Sequence, residues 1–208
     1  GAPTRKDYLY LHKILDATLL TGVDKMETQV QGFFHDLESP DKEIQYEAYK
    51  NLLSVTEKEV EWAYEVWDEF LQDLSNKDNH KRSRAAQFLS NLAISDPEKR
   101  ILNDFPSLWE VTKDPKFVTA RHSLQSIWRV GLAGGKQQEL LINHFTDRFR
   151  NCKEEKNHTL IRYDIIQGFR NLYDELKKVE IKQISLDLIA TEEDSKYQKK
   201  YATVWRNT

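Results

Sequence analysis

Apolar residues recur along most of this chain at intervals of three and four positions, which is the spacing of one face of an α-helix. The clearest example runs from Val60 to Leu74, where Trp67 and Phe70 belong to the apolar stripe and carboxylates fill the positions between. No stretch alternates strictly between apolar and polar residues, as a half-buried strand does. The pattern therefore predicts an all-α protein of about eleven helices joined by short polar turns.

Helix starts are indicated by capping residues. Ser39, Asp96 and Asp114 each precede a proline, and a capping side chain followed by proline is typical of a first helical turn. The segment 56–59, Thr-Glu-Lys-Glu, matches a capping box and predicts that a helix begins at residue 57. Pro106 falls inside a predicted helix, which we expect to kink or split there because proline removes a backbone hydrogen bond.

An internal repeat accompanies the helical pattern. A small or apolar residue, followed by larger apolar residues four and seven positions later, recurs about every 38 residues, which is the length of a helix pair. The first members of these segments are Ala48, Ala85, Ala120, Ile165 and, more weakly, Tyr201. The predicted pairs are 24–37 with 40–54, 57–74 with 78–94, 97–112 with 115–133, 135–151 with 156–175, and 179–190 with 195–207. A helix near 5–21 precedes them.

The segment 81–93 resembles the second helix of a HEAT repeat. The family pattern places an arginine three residues before the small alanine; Arg82 and Arg162 stand at that position, whereas Gln45 and Phe117 stand there in two other repeats. The resemblance covers roughly residues 24–207.

What the resemblance implies is an all-α fold, an α-solenoid of about five antiparallel helix pairs with an N-terminal capping helix. The single domain would be 4–208, and residues 1–3 are expected to be a tag remnant or disordered. An irregular helical bundle is the alternative fold.

Charge is distributed unevenly among the predicted helices, although the net charge is only −3. The first helices of four pairs carry a total of −8 and the second helices a total of +8. The segments counted are 24–37, 56–74, 98–112 and 136–151 for the first set, and 41–54, 77–94, 114–130, 156–175 and 195–207 for the second. Second helices line the concave face of HEAT-like solenoids, so the resemblance implies a basic concave surface that attracts anionic partners.

Eight residues on the predicted second helices are candidates for contacting a partner. They are Lys81, Arg84, Arg121, His122, Trp128, Arg129, Arg162 and Arg170. Arginine can bind a carboxylate or phosphate through two parallel hydrogen bonds, and tryptophan can anchor a peptide or stack on a base. For Arg82 and Arg162 the alternative is an ion pair with the adjacent repeat, and for Trp128 it is core packing.

The sequence contains no Gly-rich phosphate loop, nucleophile elbow, metalloprotease helix or calcium loop. Its six histidines are dispersed, and its one cysteine, Cys152, provides no disulfide framework or Cys-based zinc site. The pair His12 and Asp16 is interpreted as a surface helix pair rather than a metal site. We therefore predict no catalytic residue, metal or cofactor. No apolar stretch is long enough to span a membrane, and a reducing, cytoplasmic setting is expected.

A second resemblance is to the bacterial alkylation-repair DNA glycosylases, which are built of HEAT-like helix pairs with a basic concave face. The segment Arg84-Ala85-Ala86 is similar to part of their DNA-facing helix. Their active site also groups aromatic residues with an aspartate on an earlier helix, where this chain has Phe33, Phe34 and Asp36 but no Trp-Asp grouping. The resemblance implies a nucleic-acid-binding module, with or without base-excision activity; an enzyme, if the chain is one, is expected to be glycosylase-like.

The sequence favours a non-enzymatic scaffold that captures an acidic or partly acidic protein segment on a basic concave face. A nucleic-acid-binding module related to the glycosylases is the alternative. A third interpretation assigns the partner to the acidic outer face, especially 57–73. No feature of the sequence predicts an oligomeric state.

Overall fold

The computed structural model describes residues 2–11 and 26–208, and every regular element in them is helical, so the all-α class is confirmed. The α-helices are α1 (5–11), α2 (Thr28–Leu37), α3 (Lys42–Thr56), α4 (Ala63–Asp73), α5 (Asn79–Leu92), α6 (Arg100–Val111), α7 (Phe117–Ser126), α8 (Gly135–Asn151), α9 (His158–Leu176), α10 (Val179–Ala190) and α11 (Ser195–Ala202). Short 3₁₀ segments extend α5, α7 and α11: Ala93–Ser95, Ile127–Leu132 and Thr203–Trp205.

Each helix predicted from residue 24 onward overlaps an observed one. The predicted opening helix is helical over 5–11. Its remainder, with His12 and Asp16, lies outside the described residues.

The helix start predicted at residue 57 is wrong, because α4 begins at Ala63. The Thr56 hydroxyl does not cap a following helix; it donates to the Leu52 carbonyl oxygen at 2.7 Å and so belongs to the end of α3. The Val60 N–H instead donates to Ser95 Oγ at 2.9 Å. In a helix that began at residue 57, the Val60 N–H would donate to the Thr56 carbonyl oxygen, whereas here a side chain 35 residues away accepts from it.

The helices expected to start at prolines begin two or three residues later, at the starts of α3, α6 and α7. The N-cap residues are Asp41, Lys99 and Lys116 rather than Ser39, Asp96 and Asp114, but Asp96 still binds the first turn of α6. Its carboxylate accepts hydrogen bonds from the N–H groups of Arg100, at 2.9 Å, and Ile101, at 2.8 Å. These are among the N–H groups that lack a partner within a helix.

The predicted split at Pro106 does not occur, because α6 continues through it. Proline removes one hydrogen bond from the helix. The neighbouring Phe105 and Leu108 are completely buried, and this burial holds the helix in place across the missing bond.

The helices contact one another in two series. The second helices of the predicted pairs, α3, α5, α7, α9 and α11, each contact the next in that order, and α4, α6, α8 and α10 do the same. Each of the helices α3, α5, α7, α9 and α11 also contacts the helix that precedes it in the sequence, from α2 with α3 to α10 with α11. One cluster of buried apolar side chains extends across both series. None of the described helices is long and apolar enough to cross a bilayer.

Two hydrogen bonds fix the relative direction of α3 and α5. The Tyr49 hydroxyl donates to Gln87 Oε1 at 2.5 Å, and Asn91 Nδ2 donates to the Leu53 carbonyl oxygen at 3.2 Å. From the first bond to the second, both helices advance by four residues, or about one turn. The two helices therefore run in the same direction.

Helices α8 and α9 approach closely at Gly168. A Cβ atom there would lie 2.8 Å from Cε2 of Phe145. Phe145 and Phe169 are both completely buried, with ring centroids 5.5 Å apart. The absence of a side chain at Gly168 thus allows Phe145 to fill the space between the helices.

Candidate binding groove

Four of the five predicted binding arginines are bound to carboxylates in the folded chain. Arg162 Nη1 lies 2.8 Å from Glu192 Oε2, and its Nε donates to the Phe149 carbonyl oxygen at 2.9 Å. Arg121 Nε lies 3.1 Å from Asp164 Oδ2. Burial raises the pKa of Asp164, which is 4% exposed, and the hydrogen bond from Arg121 partly opposes this rise. For Arg162 the alternative predicted from sequence, an ion pair with a neighbouring segment, is confirmed.

Arg129 and Arg170 also have partners. Arg129 Nη2 lies 3.3 Å from Glu57 Oε1, and its guanidinium carbon lies 4.6 Å from the centre of the Trp128 ring. Trp128 is only 8% exposed and belongs to the buried cluster, so its core-packing alternative is confirmed. Arg170 Nε lies 2.8 Å from Asp174 Oδ1, one turn further along α9.

Arg82, three residues before Ala85, binds Asp114 through two parallel contacts. Nε lies 2.6 Å from Oδ2, and Nη2 lies 3.0 Å from Oδ1. Burial disfavours the charged form of Asp114, but the hydrogen bonds from Arg82 and from the Lys116 N–H outweigh it, so the pKa of Asp114 is lowered. The alternative of an ion pair with the following segment is confirmed for Arg82 as well.

The remaining predicted residues lie on both sides of α5. Lys81 faces α1, in a cavity of about 320 Å³, and the neighbouring Lys6 ammonium group, followed by burial, lowers the pKa of Lys81. His122 lines a groove of about 340 Å³ formed by α3, α5 and α7. Arg84 lines both this groove and the cavity at α1, whose lining also includes Glu38 and Asp73. We call the groove of α3, α5 and α7 the second-helix groove; the side chains that present its chemistry are Lys42, Tyr46, Tyr49, His80, Arg84 and His122.

Hydrogen bonds fix one wall of the second-helix groove. The Tyr49 hydroxyl donates to Gln87 Oε1, and Gln87 Nε2 donates to Ser83 Oγ at 3.1 Å and to the Ser83 carbonyl oxygen at 3.2 Å. Gln87 and Ser83 are buried. Burial also raises the pKa of Tyr49, so its hydroxyl stays protonated and remains a donor at neutral pH. The wall is thus ordered before any ligand binds.

Arg84 differs from the other predicted arginines. It forms no hydrogen bond or ion pair with any residue in 2–11 or 26–208, and no aspartate or glutamate from these ranges lines the second-helix groove. Lys42 likewise has no ion pair in this part of the chain. Tyr46 lies beside them and is 57% exposed. The groove therefore offers two cations and an aromatic ring to an anionic group.

Arg84 and His122 of this groove were predicted from the sequence, whereas Lys42, Tyr46, Tyr49 and His80 were not. The available signal was the spacing of four residues between Lys42 and Tyr46 and between His80 and Arg84, which places each pair on one helix face. Nothing in the sequence shows that these two faces share a groove.

No group of three or more His, Cys, Asp or Glu side chains in the described ranges could hold a metal ion. No protein-family model matches the chain, and no curated protein matches it. The case for function therefore depends on the geometry of the groove.

Proposed function

We propose that this protein is a non-enzymatic, HEAT-like α-solenoid that captures an acidic protein segment in the second-helix groove. The observation that carries the proposal is the state of Arg84, a cation without a partner among the described residues in a groove that no described carboxylate lines. A guanidinium can bind a carboxylate through two parallel hydrogen bonds, and nearby tyrosines add contact area at low entropic cost.

Hydrogen bonds between consecutive second helices support the solenoid arrangement. They join residues 35 to 43 positions apart, from Asn91–Thr56 to Arg121–Asp164, with Tyr49–Gln87 at 38. This separation is close to the spacing of about 38 residues in the sequence repeat. A cytoplasmic setting is part of the proposal, and the single cysteine, a free and buried thiol at Cys152, supports it.

The test is fluorescence anisotropy with a fluorescein-labelled poly-glutamate peptide. Arg84→Gln removes the guanidinium and keeps a polar side chain, and we expect it to weaken binding about tenfold or more, the usual loss for a charge-assisted hydrogen bond. Arg150→Gln is the matched control, because Arg150 is exposed on α8, outside the second-helix series, and the substitution changes the net charge equally. Equal losses in the two variants, or none in Arg84→Gln, would contradict the proposal.

The competing function, nucleic-acid binding, is tested with a labelled single-stranded oligonucleotide over a salt series. Binding to phosphates makes the logarithm of the affinity fall linearly with the logarithm of the salt concentration. We expect the oligonucleotide to bind more weakly than the peptide at every salt concentration. If only the oligonucleotide binds, and Arg84→Gln weakens it, the nucleic-acid function replaces the proposed one.

A further inference from the structure

A second recess, distinct from the second-helix groove, lies between α7 and α9. This α7–α9 cleft has a volume of about 340 Å³ and is bounded by the chain between α6 and α7 and the chain that leads into α9. The apolar side chains that line it are Phe117, Ala120, Leu124, Leu160 and Ile161. Phe117 is 47% exposed, so its ring is an accessible part of the cleft wall.

The charges around the α7–α9 cleft are not balanced. Its carboxylates all bind arginines: Asp114 binds Arg82, Asp164 binds Arg121, and Glu155 binds Arg148 at 3.0 Å. Lys113 and Lys156, also in its lining, are exposed and form no ion pair with a described residue. Lys116, just before α7, is exposed and unpaired in the same sense. The charge available to a partner at the cleft is therefore positive.

The α7–α9 cleft and the second-helix groove lie on two sides of α7. Phe117 and Arg121, one turn apart, line the cleft, whereas His122, the next residue, lines the groove. Successive helical residues point about 100° apart, so one helix presents different residues to the two recesses. Packed helices lie about 8–10 Å apart, and the two recesses are separated by one to two such spacings. Because an extended chain advances about 3.3 Å per residue, a segment of about three to six residues is long enough to reach from one recess to the other.

We infer that the α7–α9 cleft binds one large apolar side chain, a phenylalanine or leucine, of the acidic segment that the second-helix groove captures. The inference rests on the proposed function. The segment would place carboxylates near Arg84 and near Lys113, Lys116 and Lys156, and its apolar side chain against Phe117 and Leu160. Apolar burial and charge complementarity then act on the same partner at two points.

The test compares two labelled peptides, poly-glutamate and the same peptide with one central phenylalanine. On the unaltered protein we expect the phenylalanine to strengthen binding about tenfold, which corresponds to burial of one aromatic side chain. Ala120→Leu fills the cleft without changing any charge. We expect this variant to bind the two peptides with about equal affinity, and to bind poly-glutamate as tightly as the unaltered protein does.

A second variant, Phe117→Ala, removes an exposed wall of the cleft and is expected to lower the same gain. Val179→Ala is its control, since Val179 is an exposed apolar residue at the start of α10, away from the cleft. Circular dichroism melts establish that each variant is folded. A gain that persists in folded Ala120→Leu, or no gain on the unaltered protein, would overturn the inference.

The two proposals fail differently. If poly-glutamate binds and Arg84→Gln weakens it, but the phenylalanine adds nothing, the proposed function holds and the cleft inference fails. If poly-glutamate does not bind, the proposed function fails, and the cleft inference fails with it. If sedimentation velocity shows a dimer that Ala120→Leu dissociates, the occupant is a second copy of this chain and the inference is likewise wrong.

Discussion

Arg121 and Asp164 lie 43 positions apart in the sequence, yet Arg121 Nε and Asp164 Oδ2 are only 3.1 Å apart. Gln125 Nε2 also donates to Asp164 Oδ1, at 3.3 Å. This contact links α7 to α9. It explains why Arg121, although it lies on a predicted binding helix, is already bound within the chain.

Arg121→Ala is expected to lower the free energy of unfolding by about 1–3 kcal/mol at pH 7, because it leaves the buried Asp164 carboxylate without its counter-charge. Urea unfolding measures the loss, and Arg150→Ala at an exposed position should cost less than about 0.5 kcal/mol.

The loss should also depend on pH. Burial already raises the folded-state pKa of Asp164, and removing Arg121 raises it further. A carboxyl group with a raised folded pKa contributes stability below its unfolded pKa and loses that contribution as the pH rises through the folded pKa. The penalty of Arg121→Ala is therefore larger at pH 7 than at pH 4. Equal penalties at the two pH values would contradict this account.

Asp114 should show the opposite dependence on pH. Its folded-state pKa is lowered, so its contribution to stability is present above its unfolded pKa, about 3.9, and is lost as the pH falls through the folded value. Asp114→Asn should therefore destabilise the protein most above about pH 5 and progressively less below about pH 4.

Thermal unfolding between pH 3 and pH 7 measures this effect. Glu193→Gln is the control, since the side chain of Glu193 is 90% exposed and its loss should change little at any pH. A constant difference between Asp114→Asn and the unaltered protein over this range would refute the assignment.

Gly168→Ala should destabilise the protein by about 1–3 kcal/mol, because its Cβ would lie 2.8 Å from the buried Phe145 ring. Gly32→Ala is the matched control. A Cβ on Gly32, inside α2, has no neighbour within 4 Å, and alanine is favoured over glycine in a helix by about 0.8–1 kcal/mol. Differential scanning calorimetry should give shifts of opposite sign, and shifts of the same sign would show that the α8–α9 contact tolerates a side chain.

The Cys152 thiol is expected to resist modification while the protein is folded. It is completely buried, and burial raises its pKa, so little thiolate is present or accessible. Labelling with Ellman's reagent at pH 8 should be at least about a hundredfold slower without urea than in denaturing urea, because reaction requires opening of the structure. Comparable rates under the two conditions would show that the region around Cys152 opens readily.

The helices were predictable because their apolar spacing is a local property. Val60 to Leu74 carries that spacing, yet the start of its helix was misplaced, because the Val60 N–H bonds to Ser95 and the Thr56 hydroxyl bonds backward to Leu52. A capping box indicates where a helix could begin if only neighbouring residues mattered. Here the hydrogen bond between Val60 and the distant Ser95 accompanies a helix that begins later, at Ala63.

The candidate binding residues were less predictable for the same reason. Arg84 and Arg121 look equivalent in the sequence, since both are cations on predicted second helices. They differ because Arg121 is bound to Asp164, whereas Arg84 forms no ion pair with a described residue, although Glu38 and Asp73 share a cavity with it. The sequence contains these carboxylates but does not show which cation each of them neutralises.

The arginine–carboxylate bonds between segments also bear on how the chain would respond to mechanical force. Arg82 binds Asp114, and Arg162 binds Glu192, 32 and 30 positions nearer the C-terminus. In the proposed solenoid each such bond ties a helix pair to the next, so these bonds would carry load one after another in a chain pulled from its two ends. We expect the chain to lengthen in steps of about one helix pair, each step beginning when one arginine releases its carboxylate.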